Sequence, residues 1–418
     1  MTITGVSDPK QRVGLPPSWY RYYAGYSPQF VADTLDALSI RSGALLDPWM
    51  GAGTTLAVGA ERRLRVTGVD LNPAMVVITK ARMIATDTTT SLDPLARELV
   101  QSLGEPTRDE RDPLTQWFST DSAMKVRALC NRIDEALVEP GQDSLERVDS
   151  MSSLAAFYHV AVFASVKDAL RTFQSKNPTW TKRAKVGAGI LEWSRDEIAQ
   201  TFLRQVGTMA KLAAANAIDV RAHDESTILR GDSRALPLKA KSQDVTITSP
   251  PYCTRLDYVV GHLPEIACLG LSASSVQELR HAMIGTPTMQ HASRHAVIGA
   301  VAQEFIATVE SHPAYASKNY YAPNFRQYFE GMGESLSSID RVMKPGGSVV
   351  LVVQDSRYKD VHLDLAGAME DVGRAVGWSL VGRKDFVAAR SIASMNSKTS
   401  DETRRAKPVE SVLHFSVS

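Results

Sequence analysis

The sequence predicts a doubly wound α/β fold carrying a helical insertion, and three observations predict it. Helix, strand, helix, strand and helix alternate within Pro28 to Ile84, the order of a parallel sheet covered on both faces. From about Asp87 to Asp219 apolar residues recur at helical spacing with no strand pattern. Strands then resume at Ser226–Leu229, Val245–Thr248 and Ser348–Val353.

The first helix, Pro28 to Leu38, places Phe30, Val31, Leu35 and Leu38 at helical steps. A strand at Gly43–Asp47 passes through Pro48-Trp49-Met50-Gly51-Ala52-Gly53-Thr54-Thr55 into a second helix ending near Arg62. The strand Arg65–Asp70 ends in an acid. Asn72 then serves as N-cap and Pro73 suits the first turn of a third helix. Within the insertion, Met151–Phe173 and Ile190–Ala214 read as helices, separated by the polar, basic stretch Gln174–Lys185. A second, mixed excursion runs from Cys253 to about Ala322. The helix Asn324–Met343 aligns Phe325, Phe329, Met332, Leu336, Ile339 and Met343 on one face. Lys344-Pro345-Gly346-Gly347 ends it ahead of Ser348–Val353, the clearest buried strand. A helix at Leu363–Val376 and strands near Trp378–Val381 and Val409–Phe415 complete the pattern, the last two flanking a basic stretch, Ala389–Lys407.

Composition excludes several classes. The 418 residues carry a net charge of +1, so a polyanion must be held by local basic patches rather than by a global field. Cys130, Cys253 and Cys268 form no C-x-x-C pair, which argues against a disulfide framework or a cysteine zinc site. The histidines are irregularly spaced, so no metal is expected. Met1–Arg12 lacks the apolar core of a signal peptide, and no apolar run has bilayer-spanning length. A cytoplasmic setting without membrane attachment is expected.

Four strand ends carry the chemistry. The glycines of the loop Asp47–Thr55 allow close backbone approach, and the helix beyond offers N–H groups. Thr54 stands where a P-loop needs lysine, and Leu56 where a dinucleotide fingerprint needs a third glycine. The loop therefore suits a ligand without pyrophosphate. Asp70, ending the next strand, is placed to accept both hydroxyls of a ribose. Asp232, after Gly231, is placed to meet the exocyclic amine of an adenine. Ser249-Pro250-Pro251-Tyr252 follows the fourth strand. Two prolines cannot continue that strand, so the chain leaves as a rigid corner presenting a hydroxyl, carbonyls and an aromatic ring.

Asp47–Thr55 resembles the D-P-F-x-G-x-G-T-T cofactor loop of amino-directed DNA methyltransferases, and Thr248–Tyr252 resembles their catalytic [S/D/N]-P-P-[Y/F/W] motif. Trp49 replaces the commoner phenylalanine, and the insertion interrupts the usual linear order. The resemblance covers roughly residues 16–86 and 226–416. It implies a Rossmann-like S-adenosylmethionine-dependent methyltransferase sheet, with Tyr22, Tyr23, Ala24, Asp47, Pro48, Gly51, Gly53, Thr54, Thr55, Asp70, Leu71, Asn72, Asp232 and Ser233 around the cofactor. The catalytic set would be Ser249, Pro250, Pro251 and Tyr252. The chain would then divide into a cofactor-binding half (1–86), an insertion that is a candidate for DNA recognition (87–222) and a catalytic half (223–418) with a second insertion at about 255–322.

The exocyclic amine of a base is a poor nucleophile because its lone pair is delocalised into the ring. Acceptors on both N–H groups, the Ser249 hydroxyl and the Pro250 carbonyl, would aim that lone pair at a methyl sulfonium, with Tyr252 stacked on a flipped base. A covalent cysteine mechanism is not expected, since Cys253 follows Tyr252 and amine transfer needs no such nucleophile. Serine at the first position of the corner is the family's mark of cytosine-N4 specificity, adenine N6 being the alternative. An inert DNA-binding or cofactor-sensing module is the alternative from another class. DNA is the implied partner, with companion restriction or defence proteins as further candidates. Two basic groups are candidate DNA contacts: Lys176, Trp180, Lys182, Arg183 and Lys185, and Arg390, Lys398, Arg404, Arg405 and Lys407.

Overall fold

The computed structural model describes residues 3–10, 20, 25–104, 109–139, 143–174, 181–184, 189–216, 218–253, 257–286, 297–387 and 408–418. Its strands are β1 (Ala44–Asp47), β2 (Arg65–Asp70), β3 (Ser226–Arg230), β4 (Gln243–Thr248), β5 (Met343–Gln354), β6 (Ser356–Tyr358), β7 (Val361–Leu363), β8 (Ser379–Val387) and β9 (Val409–Ser416). Seven of them form one sheet in the order β3-β2-β1-β4-β5-β9-β8, while β6 and β7 pair as a hairpin. All contacts from β3 to β5 are parallel; β9 runs antiparallel to both β5 and β8. The doubly wound Rossmann-like fold is present.

The sheet separates two apolar layers by the period of two. Leu45, Val66, Ile247 and Val350 face one layer, with α1 (Pro28–Ala37), α2 (Thr54–Glu61) and α3 (Pro73–Arg82). The insertion adds α4 (Leu92–Gln101), α5 (Thr120–Leu137), α6 (Ser144–Ser150), α7 (Ser153–Ala169), α8 (Arg195–Asn216) and α9 (Val220–Asp224). All six contribute to the same layer, α6 through Val148 and α9 through Ala222. Next come α10 (Leu263–Cys268), α11 (Ala273–Ala282), α12 (Ala300–Ser311), α13 (Ala322–Val342) and α14 (Leu365–Ala375). Leu46, Val349 and Leu351 face the opposite layer, with α12, α13 and α14.

The expected insertion is helical, but it does not stand off from the core. Lys80 of α3 is buried, and its ammonium donates to the carbonyls of Val148, Asp149 and Met151 at 2.9, 2.7 and 2.9 Å. Those carbonyls lie at the C-terminal end of α6, where a cation is favoured. Boundaries differ from expectation at β8, which runs on to Val387 rather than ending near Val381, at α8, which begins at Arg195 rather than Ile190, and ahead of β5. Lys344-Pro345-Gly346-Gly347 lies inside β5, because α13 caps at Met343 with extended backbone and passes straight into the strand.

Candidate active site

The strand order reverses between β1 and β4, the topological switch point where open α/β sheets bind ligands beyond their carboxyl ends. Those ends border one cleft that opens to solvent. Asp47, Pro48, Gly51, Thr54, Asp70, Leu71, Asn72, Asp232, Ser233 and all of Ser249–Tyr252 line it.

The loop after β1 is shaped by its glycines. Gly51 and Gly53 have φ of +49° and +73°, the left-handed region that residues with a Cβ avoid. A Cβ on Gly53 would also lie 2.7 Å from Thr79 Cγ2. The Thr79 hydroxyl donates to the Gly51 carbonyl at 2.8 Å, so the turn is clasped from α3.

Asp70 sits at the cleft. Its carboxylate accepts from the Gly51 N–H at 3.0 Å and the Asn72 N–H at 2.8 Å, and each oxygen keeps further acceptor capacity. Burial pushes its carboxyl up to about 6, against the lowering effect of those N–H groups. Asn72 is the N-cap of α3, accepting from Ala74 N–H at 3.0 Å.

Asp47 serves differently from Asp70. It is 2% exposed. Its carboxylate accepts from the Thr248 hydroxyl at 2.6 Å, the Trp49 N–H at 3.2 Å and the Tyr26 hydroxyl at 3.2 Å. The Tyr26 hydroxyl also contacts the Thr55 hydroxyl and lies 3.2 Å from the Ile247 carbonyl. Asp47 and the fully buried Thr55 thus tie β1, β4 and α2 together beneath the cleft, with their polar atoms engaged by protein. Ser233 likewise turns its hydroxyl to Ser335 of α13, at 2.8 Å. Asp232 is held by Arg234, whose Nε lies 3.0 Å from both of its carboxylate oxygens and whose NH2 donates at 2.6 Å. The same guanidinium donates to the Ala282 carbonyl at 2.9 Å, securing the turn that brings Met283 and Ile284 to the cleft wall.

The corner after β4 is pinned from outside. Tyr328 donates its hydroxyl to the Pro251 carbonyl at 2.9 Å, and Tyr252 N–H donates to the Tyr258 hydroxyl at 3.0 Å. The Lys10 ammonium donates to the Tyr252 hydroxyl at 2.6 Å and lies 3.4 Å from the Glu410 carboxylate. Burial works to lower the Lys10 pKa, but Tyr252 and Glu410 offset it and leave the ammonium stabilised. The Tyr252 ring is only 7% exposed. In contrast, the Ser249 hydroxyl and the Pro250 carbonyl have no hydrogen-bond partner among the described residues. Burial pushes the neighbouring Cys253 thiol far up, which removes it as a thiolate nucleophile.

No family model matches the chain. Sequence relatives do. Type II methyltransferase M.BsoBI from Geobacillus stearothermophilus is 25% identical over 64% of this chain and 55% of its own length. Type II methyltransferase M.AvaI from Nostoc sp. (strain PCC 7120) is 21% identical over 87% of this chain and 79% of its own length. The relatives are Type II methyltransferases. The chain spans little more than half of M.BsoBI. A putative sarcosine dimethylglycine methyltransferase from Galdieria sulphuraria is 8% identical, with a TM-score of 0.32 over 94% of this chain and 85% of that one; the sheet order, not that likeness, carries the fold.

Several cleft residues have no counterpart among the expected ones. Tyr26 lies two residues ahead of α1, just past the tyrosine-rich Tyr22–Ala24 run, and that proximity was the available signal. Tyr258, His262, Met283 and Ile284 come from the second excursion. The His262 Nδ1 lies 2.7 Å from the Tyr258 carbonyl, and burial lowers its pKa, favouring the neutral ring. Tyr22, Tyr23 and Ala24 lie outside the described residues, as do Lys176, Trp180, Lys185, Arg390, Lys398, Arg404, Arg405 and Lys407. Lys182 and Arg183 are exposed. Among the described residues no group of three His, Cys, Asp or Glu side chains could hold a metal, and no helix is long and apolar enough to cross a membrane.

Proposed function

We propose that this chain is an S-adenosylmethionine-dependent DNA methyltransferase acting on the exocyclic N4 amine of cytosine within a specific sequence. The observation that carries this reading is the pair of unclaimed acceptors, Ser249 Oγ and the Pro250 carbonyl, on a pinned corner beside the cleft. The Type II methyltransferase relatives support DNA as the polymer, while the choice of cytosine over adenine rests on the resemblance of Ser249 to the family's first corner position.

The residues present fit the cofactor. Gly51 supplies close backbone approach, Asp70 acceptors for a ribose diol, and Met75, Met283 and Ile284 apolar wall. S-adenosylmethionine supplies an electrophilic methyl group on a sulfonium. The chain's own part is to bind and orient: Ser249 and Pro250 accept the two amine N–H groups and Pro250 fixes their spacing. The corner, held by Tyr328 at the Pro251 carbonyl and by Tyr258 at the Tyr252 N–H, costs no reorganisation when the base enters. A base must leave its stack to reach this recess.

Mass spectrometry of nucleosides, after incubation of the protein with DNA and isotope-labelled cofactor, tests the reading. Labelled N4-methylcytosine is expected. Labelled N6-methyladenine would transfer the assignment to adenine, and label in no nucleoside would leave a binding module.

Cofactor affinity should also depend on pH through Asp70. The ionised carboxylate is the acceptor, so binding selects it and draws its pKa below the free value of about 6. Affinity is therefore full above that pH and falls by up to about tenfold per unit below it. Calorimetry across this range checks the dependence, and Asp70→Asn should flatten it.

A further inference from the structure

We propose that the β6–β7 hairpin and the adjoining turn 312–318 form the seat for the DNA strand flanking the target base. The proposal rests on the methyltransferase reading above and assigns the polymer a surface. The cofactor residues occupy the ends of β1, β2 and β3, so the target approaches the corner from the side of β5. There the chain leaves β5 directly into the hairpin. Ser356 at its start donates its hydroxyl to the Cys253 carbonyl at 2.6 Å, building the hairpin onto the corner itself.

The turn and the residues that follow it are fastened to the hairpin in three ways. The hydroxyls of Ser317 and Tyr358 are 2.7 Å apart, the Tyr321 and Tyr358 rings lie 4.8 Å centre to centre, and His312 Nε2 lies 2.8 Å from the Asp360 carboxylate. On this rigid backing stand groups that the protein itself does not use. Tyr315 is 97% exposed, the most exposed large apolar side chain among the described residues. Lys318, Arg357 and Lys359 are exposed, and their side chains have no hydrogen-bond or ion-pair partner among the described residues. The nearby carboxylates of Asp360 and Asp355 already face His312 and His362. Cations without side-chain partners and an exposed ring on adjoining elements are the chemistry that holds phosphates and stacks a base.

The test uses the full chain carrying Lys318→Ala, Arg357→Ala and Lys359→Asn together, and separately Tyr315→Ala. Asparagine suits position 359, where φ is +56°. Binding to a labelled mixed-sequence duplex is followed by fluorescence anisotropy over a range of salt concentrations, with calorimetry of S-adenosylmethionine as a control of folding. The triple variant should lower the slope of log affinity against log salt by about 2–3, at roughly 0.9 per lost phosphate contact. Tyr315→Ala should weaken binding about tenfold, within the range of one stacked base. Cofactor affinity should not change in either. An unchanged slope in a protein that binds and methylates DNA overturns the seat alone. A wild-type protein that neither binds nor methylates DNA overturns the seat and the methyltransferase reading together.

Discussion

Ser249→Ala is expected to lower methyl transfer by roughly a hundred- to a thousandfold, the loss typical of removing one preorganised partner of the reacting group. The substitution removes an acceptor that no described residue engages, so the corner keeps its shape. Its supports, Tyr328 on the Pro251 carbonyl and Tyr258 on the Tyr252 N–H, involve other atoms. S-adenosylmethionine affinity, measured by calorimetry, should therefore stay near the wild-type value. Equal losses of turnover and cofactor affinity would instead assign the corner a structural role.

Asp47→Ala is expected to act on stability. Its buried carboxylate receives the Thr248 hydroxyl, the Trp49 N–H and the Tyr26 hydroxyl. Alanine strands the Thr248 hydroxyl and the Trp49 N–H, while Tyr26 keeps the Ile247 carbonyl, at a cost of roughly 1–3 kcal/mol for each donor left unsatisfied. A total of about 3 kcal/mol, read as a lower denaturation midpoint at unchanged slope, is the expected result. Asp47→Asn keeps an acceptor and should lose less. If Asp47→Ala weakened cofactor binding with no loss of stability, the carboxylate would be a ligand group rather than a tie between strands.

The contrast between Asp47 and Asp70 shows where sequence reading reaches. Both acids end strands, and the strand bounds themselves were legible: Arg65–Asp70 and the end of β4 at Thr248 agree with expectation. Alternation and proline placement carry that information locally. Which way an acid faces does not reside in its own segment. Asp47 turns inward because Thr248 and Tyr26, distant in sequence, offer hydroxyls there. Arg234 was likewise silent, a lone arginine two residues past Asp232 whose bidentate grip appears only once the chain is folded. The β6–β7 hairpin was missed for a different reason. Two strands of three residues are too short for a period to show.

The Lys80 clasp on α6 bears on how the molecule comes apart. Its ammonium, with a pKa that burial lowers to about 8, is satisfied by carbonyls of the inserted segment, and a shared apolar layer surrounds it. Detaching those helices would remove the carbonyls that hold Lys80 and expose the apolar layer they share with α3, the helix that begins three residues beyond Asp70. The insertion and the cofactor side of the sheet are therefore coupled in one cooperative unfolding unit, and the inserted helices cannot be trimmed away as a dispensable appendage.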